Sequence, residues 1–128
     1  MTQKRILVID DEKDIGEAIA AHFVEEGHFV VDVATNGREG LEKIHAEKPD
    51  IIILDIFMPV MDGMTFLSAL RDGEGERSER AVPVILMTGC YMENLMKELP
   101  ISAIAVKPIY FEDLLKKVNR ILEDVHSP

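Results

Sequence analysis

Short apolar runs alternate along the chain with segments in which apolar residues recur every three or four positions. The apolar runs predict five β-strands, at residues 6–9, 29–34, 51–54, 82–87 and 101–106. The periodic segments predict five helices, at residues 14–26, 37–47, 64–73, 91–99 and 111–125. Alternating strands and helices imply right-handed crossovers, so the pattern predicts a parallel sheet with helices on both faces.

The predicted helices differ in how clearly they are marked. The last is the clearest, because apolar residues keep the 3.6-residue period from Phe111 to Val125 and two acidic residues occupy its first turn. The fourth has room for only about two turns between Tyr91 and Pro100, so a short or irregular helix is expected there. The second, at 37–47, has few apolar residues and should be one of the more exposed elements.

Four of the predicted strands deliver polar residues at their carboxyl ends. These are Asp10 and Asp11 after the first strand, Asp55 after the third, Thr88 after the fourth and Lys107 after the fifth. Ligands of open parallel sheets bind at the carboxyl ends of strands, so these side chains are expected to gather at one edge. Considered alone, Asp55 has a second explanation, because an aspartate can also cap the turn that leads into Pro59.

A cluster of three carboxylates needs positive charge nearby. At about 4 Å and an effective dielectric constant near 20, each like-charged pair costs on the order of 4 kcal/mol. A divalent cation and the Lys107 ammonium would relieve this repulsion, and ligands that are all oxygen indicate Mg²⁺ or Mn²⁺ rather than zinc. A carboxylate beside such a cation can attack a phosphoryl group, whose oxygens Lys107 and Thr88 would stabilise.

Composition narrows the class of protein. The 128 residues suit one domain, 1–128, with 30% charged and 47% apolar residues, as in ordinary globular proteins. A net charge of −10 argues against direct nucleic-acid binding, which relies on basic side chains. The single cysteine, Cys90, excludes an internal disulfide, no apolar signal segment opens the chain, and no apolar run approaches the roughly 20 residues of a membrane span. The expected location is the cytoplasm, away from membranes.

The polar residues and one longer motif together resemble a known family. The order Asp10-Asp11, Asp55, Thr88 and Lys107-Pro108 is accompanied by Asp-x-x-Met-Pro-x-Met-Asp-Gly, which runs from Asp55 to Gly63. The combination resembles the receiver domain of two-component response regulators and covers nearly the whole chain. The resemblance implies a flavodoxin-like, three-layer αβα sandwich with strand order 2-1-3-4-5.

The resemblance also implies roles for the site residues. Asp55 would accept a phosphoryl group from a sensor histidine kinase or phosphotransfer protein. Thr88 would be the hydroxyl that moves toward the phosphate, Lys107 would pair with it, and the Lys107–Pro108 peptide bond would be cis. The ligands of Mg²⁺ would be Asp10 (partly through water), Asp11, Asp55 and the backbone carbonyl of Phe57.

By the same resemblance the chain is a signalling switch and not a conventional enzyme. Phosphorylation would alter binding to a downstream protein or output domain, and the chain would be a monomer or a weak dimer. Because it stops at residue 128 shortly after the last predicted helix, it is expected to be either a stand-alone receiver or a piece of a longer regulator.

Three features depart from the family pattern. Ile104 stands where the family usually has an aromatic switch residue, so the usual coupling to output is not expected. Phe57 and Cys90, two positions after Asp55 and Thr88, cannot orient an attacking water, which predicts slow autodephosphorylation. The segment 91–99 is unusually apolar, which suits either core packing or a patch for a partner or a second copy.

Two other functions are compatible with parts of the pattern. A Mg²⁺-dependent phosphohydrolase of the haloacid dehalogenase type would also use an aspartyl nucleophile, but that group places a second aspartate where this chain has Phe57. A protein-binding module that works without phosphorylation would suit Ile104 and the altered fourth helix. The complete set of polar residues at the strand ends argues against it.

Overall fold

A computed structural model describes residues 3–55, 63–74, 82–89 and 99–126. Its strands are β1 (Lys4–Ile9), β2 (Phe29–Ala34), β3 (Ile51–Asp55), β4 (Val84–Thr88) and β5 (Ala103–Val106). Its helices are α1 (Lys13–Glu25), α2 (Gly37–Ala46), α3 (Gly63–Glu74) and α4 (Phe111–His126). Leu99 is the one described residue of the helix predicted at 91–99, and the rest of that segment lies outside the described residues. Phe57 and Cys90 also lie outside the described residues.

The five strands form one parallel sheet in the order β2-β1-β3-β4-β5, which confirms the predicted order. The register pairs Ile9 with Leu54, Asp55 with Met87, and Thr88 with Val106. The carboxyl ends of β1, β3, β4 and β5 therefore meet at one edge of the sheet.

Helices cover both faces of the sheet and make the three-layer sandwich. On one face α1 and α4 pack through Ile19, Phe23, Leu114, Val118 and Leu122 against alternate residues of β1 and β3. On the other face α3 packs through Phe66, Leu67 and Leu70, and α2 adds Leu41 and Ile44. All five residues of β3 are buried, because a central parallel strand is covered on both sides.

Strands β4 and β5 each begin two residues later than predicted, at Val84 rather than residue 82 and at Ala103 rather than residue 101. Pro83 has no N–H to donate to a neighbouring strand, so β4 begins only at Val84. Before β5, the Ile101 N–H donates to the carbonyl of Leu99 at 2.8 Å, which makes a local turn and delays the strand to Ala103. Apolar character thus extends beyond the hydrogen-bonded part of each strand.

Two helix ends have the residues and backbone geometry expected of helix caps. The Asn36 side chain accepts a hydrogen bond from the Glu39 N–H at 2.9 Å and caps α2. Gly27 follows α1 with φ of 88°, a conformation that glycine adopts without steric cost. Within the described residues, none of the helices has the length and apolar character needed to cross a membrane.

Candidate functional site

Three carboxylates meet at the edge of the sheet where β1 and β3 end. Asp10 and Asp11 follow β1 directly, and Asp55 is the last residue of β3. Because β1 and β3 are neighbours, one oxygen from each of the three carboxylates lies within 4.8 Å of the others. Asp10 and Asp55 are buried and Asp11 is exposed, so the cluster opens to solvent on one side.

Asp10 has an unusual environment for a carboxylate. Its Oδ1 accepts a hydrogen bond from the Glu12 N–H at 2.9 Å, whereas its buried Oδ2 has no hydrogen-bond partner among the described residues. The pKa of Asp10 is raised from 3.8 to about 6, mainly because the carboxyl is buried and also because the charges of Asp55 and Asp11 are nearby. The Glu12 N–H and the Lys107 ammonium lower it, without offsetting the cost of burial.

The carboxylate cluster fits a hard divalent cation. A buried anionic oxygen without a hydrogen-bond donor is costly, and a cation would compensate it directly. The group consists only of carboxylates, and no histidine or cysteine joins it among the described residues. This set of ligand atoms suits Mg²⁺ or Mn²⁺ and does not suit zinc.

Lys107 approaches the cluster from the end of β5. Its Nζ lies 3.2 Å from Oδ1 of Asp55, and its side chain is 37% exposed. Its backbone N–H donates to the carbonyl of Thr88 at 2.7 Å, which ties the start of the following segment to β4. The Lys107–Pro108 peptide bond is cis, as the resemblance predicted.

Thr88 ends β4, between the strands that carry Asp55 and Lys107. It is 3% exposed and therefore belongs to the buried part of the site. Ile104, on β5, is also buried and pairs in register with Leu86. An aliphatic residue thus fills the place where the family usually has an aromatic ring.

The structure brings the predicted site residues that it describes to one edge of the sheet; Phe57 lies outside the described residues. Asp10, Asp11, Asp55 and Lys107 are close in space, and Thr88 lies on the intervening strand end. The Glu12 N–H, which donates to Asp10 two residues earlier, is a further group of the site that was not predicted from the sequence. An aspartate two residues before such a donor is typical of an Asx turn, so the signal was available locally. Together these groups offer an oxygen nucleophile, a cation site and a fixed ammonium.

Comparison with known proteins points to one family. A family profile described as "Response regulator receiver domain" matches residues 6–119. The transcriptional regulatory protein PcoR of Escherichia coli is 33% identical over 127 residues, which cover 97% of this chain and 54% of PcoR. The chemotaxis protein CheY of Treponema pallidum is 30% identical over 124 residues, covering 93% of this chain and 83% of that protein.

Solved structures agree with the sequence comparison. The chemotaxis protein CheY4 of Vibrio cholerae superposes with a TM-score of 0.81 at 28% identity, covering 94% of this chain and 99% of that one. This chain spans about half the length of PcoR and of several other curated relatives that it matches.

Proposed function

This chain belongs to the family of response regulator receiver domains, and we propose that it is a switch controlled by phosphorylation of Asp55. The observation that carries the proposal is the position of Asp55, which is buried, 3.2 Å from the Lys107 ammonium and grouped with two further carboxylates. Of the three carboxylates, it is the one that ends a central strand and contacts the ammonium.

The proposed reaction is transfer of a phosphoryl group to the Asp55 carboxylate. A carboxylate oxygen of Asp55 attacks phosphorus, and the bond from phosphorus to the imidazole nitrogen of a phosphohistidine donor breaks. The imidazole leaves with the electron pair of that bond and takes up a proton, and the product is an acyl phosphate on Asp55. Lys107 lies close enough to Asp55 to pair with the added phosphoryl oxygens.

We assign the cation site to Asp10, Asp11 and Asp55, with the Phe57 carbonyl as a further ligand. Mg²⁺ is the preferred ion and Mn²⁺ can replace it, since both favour oxygen ligands. When bound, the ion would neutralise negative charge on the phosphoryl oxygens. The orphaned Oδ2 of Asp10 supports this assignment, because a bound cation would supply the partner that the protein does not.

Thr88 is assigned the role of the hydroxyl that responds to phosphorylation. It is buried at the end of β4, on the strand between Asp55 and Lys107. A phosphoryl group that hydrogen-bonds Thr88 would favour one of two conformations of the molecule. Ile104 has no aromatic ring, so the coupled ring rotation usual in the family is absent at this position.

The proposed phosphodonor is a sensor histidine kinase or a phosphotransfer protein in the cytoplasm. The receiver acts on a downstream protein or on an output domain, and binds neither membrane nor nucleic acid itself, in keeping with its net charge of −10. Its catalysis is confined to its own phosphorylation and dephosphorylation. It works as a monomer or a weak dimer.

The test is incubation with acetyl phosphate or phosphoramidate, with and without Mg²⁺, read by intact mass on the wild type and on Asp55→Asn. The wild type should gain one phosphoryl group only with Mg²⁺, and Asp55→Asn should gain none. After removal of the donor, loss of the phosphoryl group should be slow, because Phe57 and Cys90 cannot orient water. A wild type that gains no mass with any divalent ion would contradict the proposal and favour a module that works without phosphorylation.

A further inference from the structure

The segment 107–110, which connects β5 to α4, is attached to the rest of the protein at both ends and, through Ile109, to the core. At the start, the Lys107 N–H donates to the Thr88 carbonyl at 2.7 Å. A cavity of about 390 Å³ lies between this part of the chain and α1; its lining includes Pro108, Ile109 and Phe111 together with Ile15, Ala18 and His22 of α1. Close packing against Ile15 and Ala18 therefore does not hold the middle of this segment, where Ile109 is in contact with the core instead.

The far end of the segment is fixed by aromatic rings. Phe111, the first residue of α4, stacks on His22 of α1 with centroids 4.7 Å apart and planes at 23°. The same ring meets the edge of Phe23 at 4.8 Å and 74°, and Phe23 contacts Phe29 of β2 at 5.3 Å. Phe23 and Phe29 are buried, so these rings connect the start of α4 to the core.

Lys107 depends on this attachment more than a buried side chain would. Its side chain is 37% exposed, so solvent surrounds much of it, yet its Nζ lies 3.2 Å from Asp55. Its backbone N–H is bonded to β4, and the ring contacts of Phe111 follow four residues later. A shift of the order of 1 Å in a group that must meet the transition state can slow a reaction markedly.

We propose that Phe111 is a positioning residue for Lys107, and that His22 supports it by covering the outer face of its ring. The inference rests on the proposed function, in which Lys107 pairs with the incoming phosphoryl group. His22 is exposed, although it follows Ile15 and Ile19 on the apolar stripe of α1. Its imidazole packs on Phe111 rather than entering the core.

The first measurement is the rate constant for phosphorylation by phosphoramidate at saturating Mg²⁺. Phe111→Leu should lower it about tenfold, and His22→Ala, a surface change that leaves the core intact, about twofold. Phe111→Tyr keeps the ring and should retain the wild-type rate. Leu122→Ala, in the core contact of the same helix but remote from Lys107, is the control for lost stability and should leave the rate within about twofold.

The second measurement places Phe111→Leu in a Lys107→Ala background. If Phe111 acts through Lys107, the double variant should be no slower than Lys107→Ala alone, since no ammonium remains to be positioned. The inference is overturned if the two losses multiply, if Leu122→Ala slows the reaction as much as Phe111→Leu, or if Phe111→Leu reacts at the wild-type rate. Failure of the wild type to accept phosphate would instead contradict the proposed function.

Discussion

The carboxylate of Asp10 lowers the stability of the cation-free protein, yet the same carboxylate is suited to bind a cation. The side chain is fully buried, and its Oδ2 has no hydrogen-bond partner among the described residues. Ionised Asp10 therefore opposes folding when no cation is bound, as its pKa of about 6 indicates. A bound cation would offset the cost of burying this ionised carboxylate.

The sign of the resulting pH dependence follows from the two pKa values. Because the folded-state pKa of Asp10 is raised from 3.8 to about 6, the folded state binds more protons than the unfolded state between these values. The contribution of Asp10 to the free energy of unfolding is fully present below pH 3.8 and is lost as the pH rises to about 6. The free energy of unfolding falls by about 3 kcal/mol at most through this loss.

We expect Asp10→Asn to be more stable than the wild type in EDTA at pH 7.5, by up to about 3 kcal/mol. The amide keeps an oxygen for the Glu12 N–H and removes the buried charge. The advantage should shrink as pH falls toward 4, and urea unfolding at several pH values measures it. Glu42→Gln, an exposed change of the same charge on α2, is the control. An advantage that grows on acidification would contradict this account.

At the scale of elements, the packing of a helix on the sheet depends on how closely its backbone can approach as much as on its apolar residues. Helix α2 has few apolar residues, and it reaches the sheet through Gly40, which is buried. A Cβ built on Gly40 would lie 2.6 Å from Cδ1 of Ile9 on β1 and 3.2 Å from the ring of Phe66 on α3. Both neighbours are fully buried, so neither can move away cheaply.

Gly40→Ala should therefore destabilise the protein by about 1 kcal/mol. Alanine gains about 1 kcal/mol in helix propensity over glycine, but overpacking a core contact costs about 1–3 kcal/mol. Equilibrium unfolding in urea measures the difference. Glu42→Ala, on the exposed side of the same helix, should change stability by less than about 0.5 kcal/mol. Stabilisation by Gly40→Ala would show that Ile9 and Phe66 yield more easily than their burial suggests.

At the scale of the whole molecule, the proposed cation site lies at the ends of the two strands at the centre of the sheet. The carboxylates follow β1 and β3, and those strands contribute to both packed faces of the sandwich. A cation bound at their ends would favour the folded state as a unit, because the unfolded chain does not bring the three carboxylates together. Cation binding and global stability are therefore linked.

Mg²⁺ should raise the Tm of the wild type by several degrees relative to EDTA. At a concentration of about 100 times Kd, linkage alone contributes about 2.7 kcal/mol. Sodium chloride at matched ionic strength is the control, because a chain with a net charge of −10 gains some stability from screening alone. The shift should be largely absent in Asp10→Asn. An equal shift with sodium chloride would contradict a specific site.

The sequence alone determined the alternation of strands and helices, because buried strands need continuous apolar runs and packed helices need a 3.6-residue period. It also placed Asp10, Asp55, Thr88 and Lys107 at strand ends, since the carboxyl ends of parallel strands share an edge. Strand order came from the resemblance to receiver domains and is confirmed by the ladder pairing.

Only the tertiary structure decided the burial of Asp10, the 3.2 Å contact between Lys107 and Asp55, and the stacking of His22 on Phe111. Each depends on atoms from elements that are far apart in the chain. Desolvation and ring contacts are set by what surrounds a group in space, and no local pattern of residues encodes that. The close approach of Gly40 to Ile9 has the same origin, because it depends on how α2 lies on the sheet.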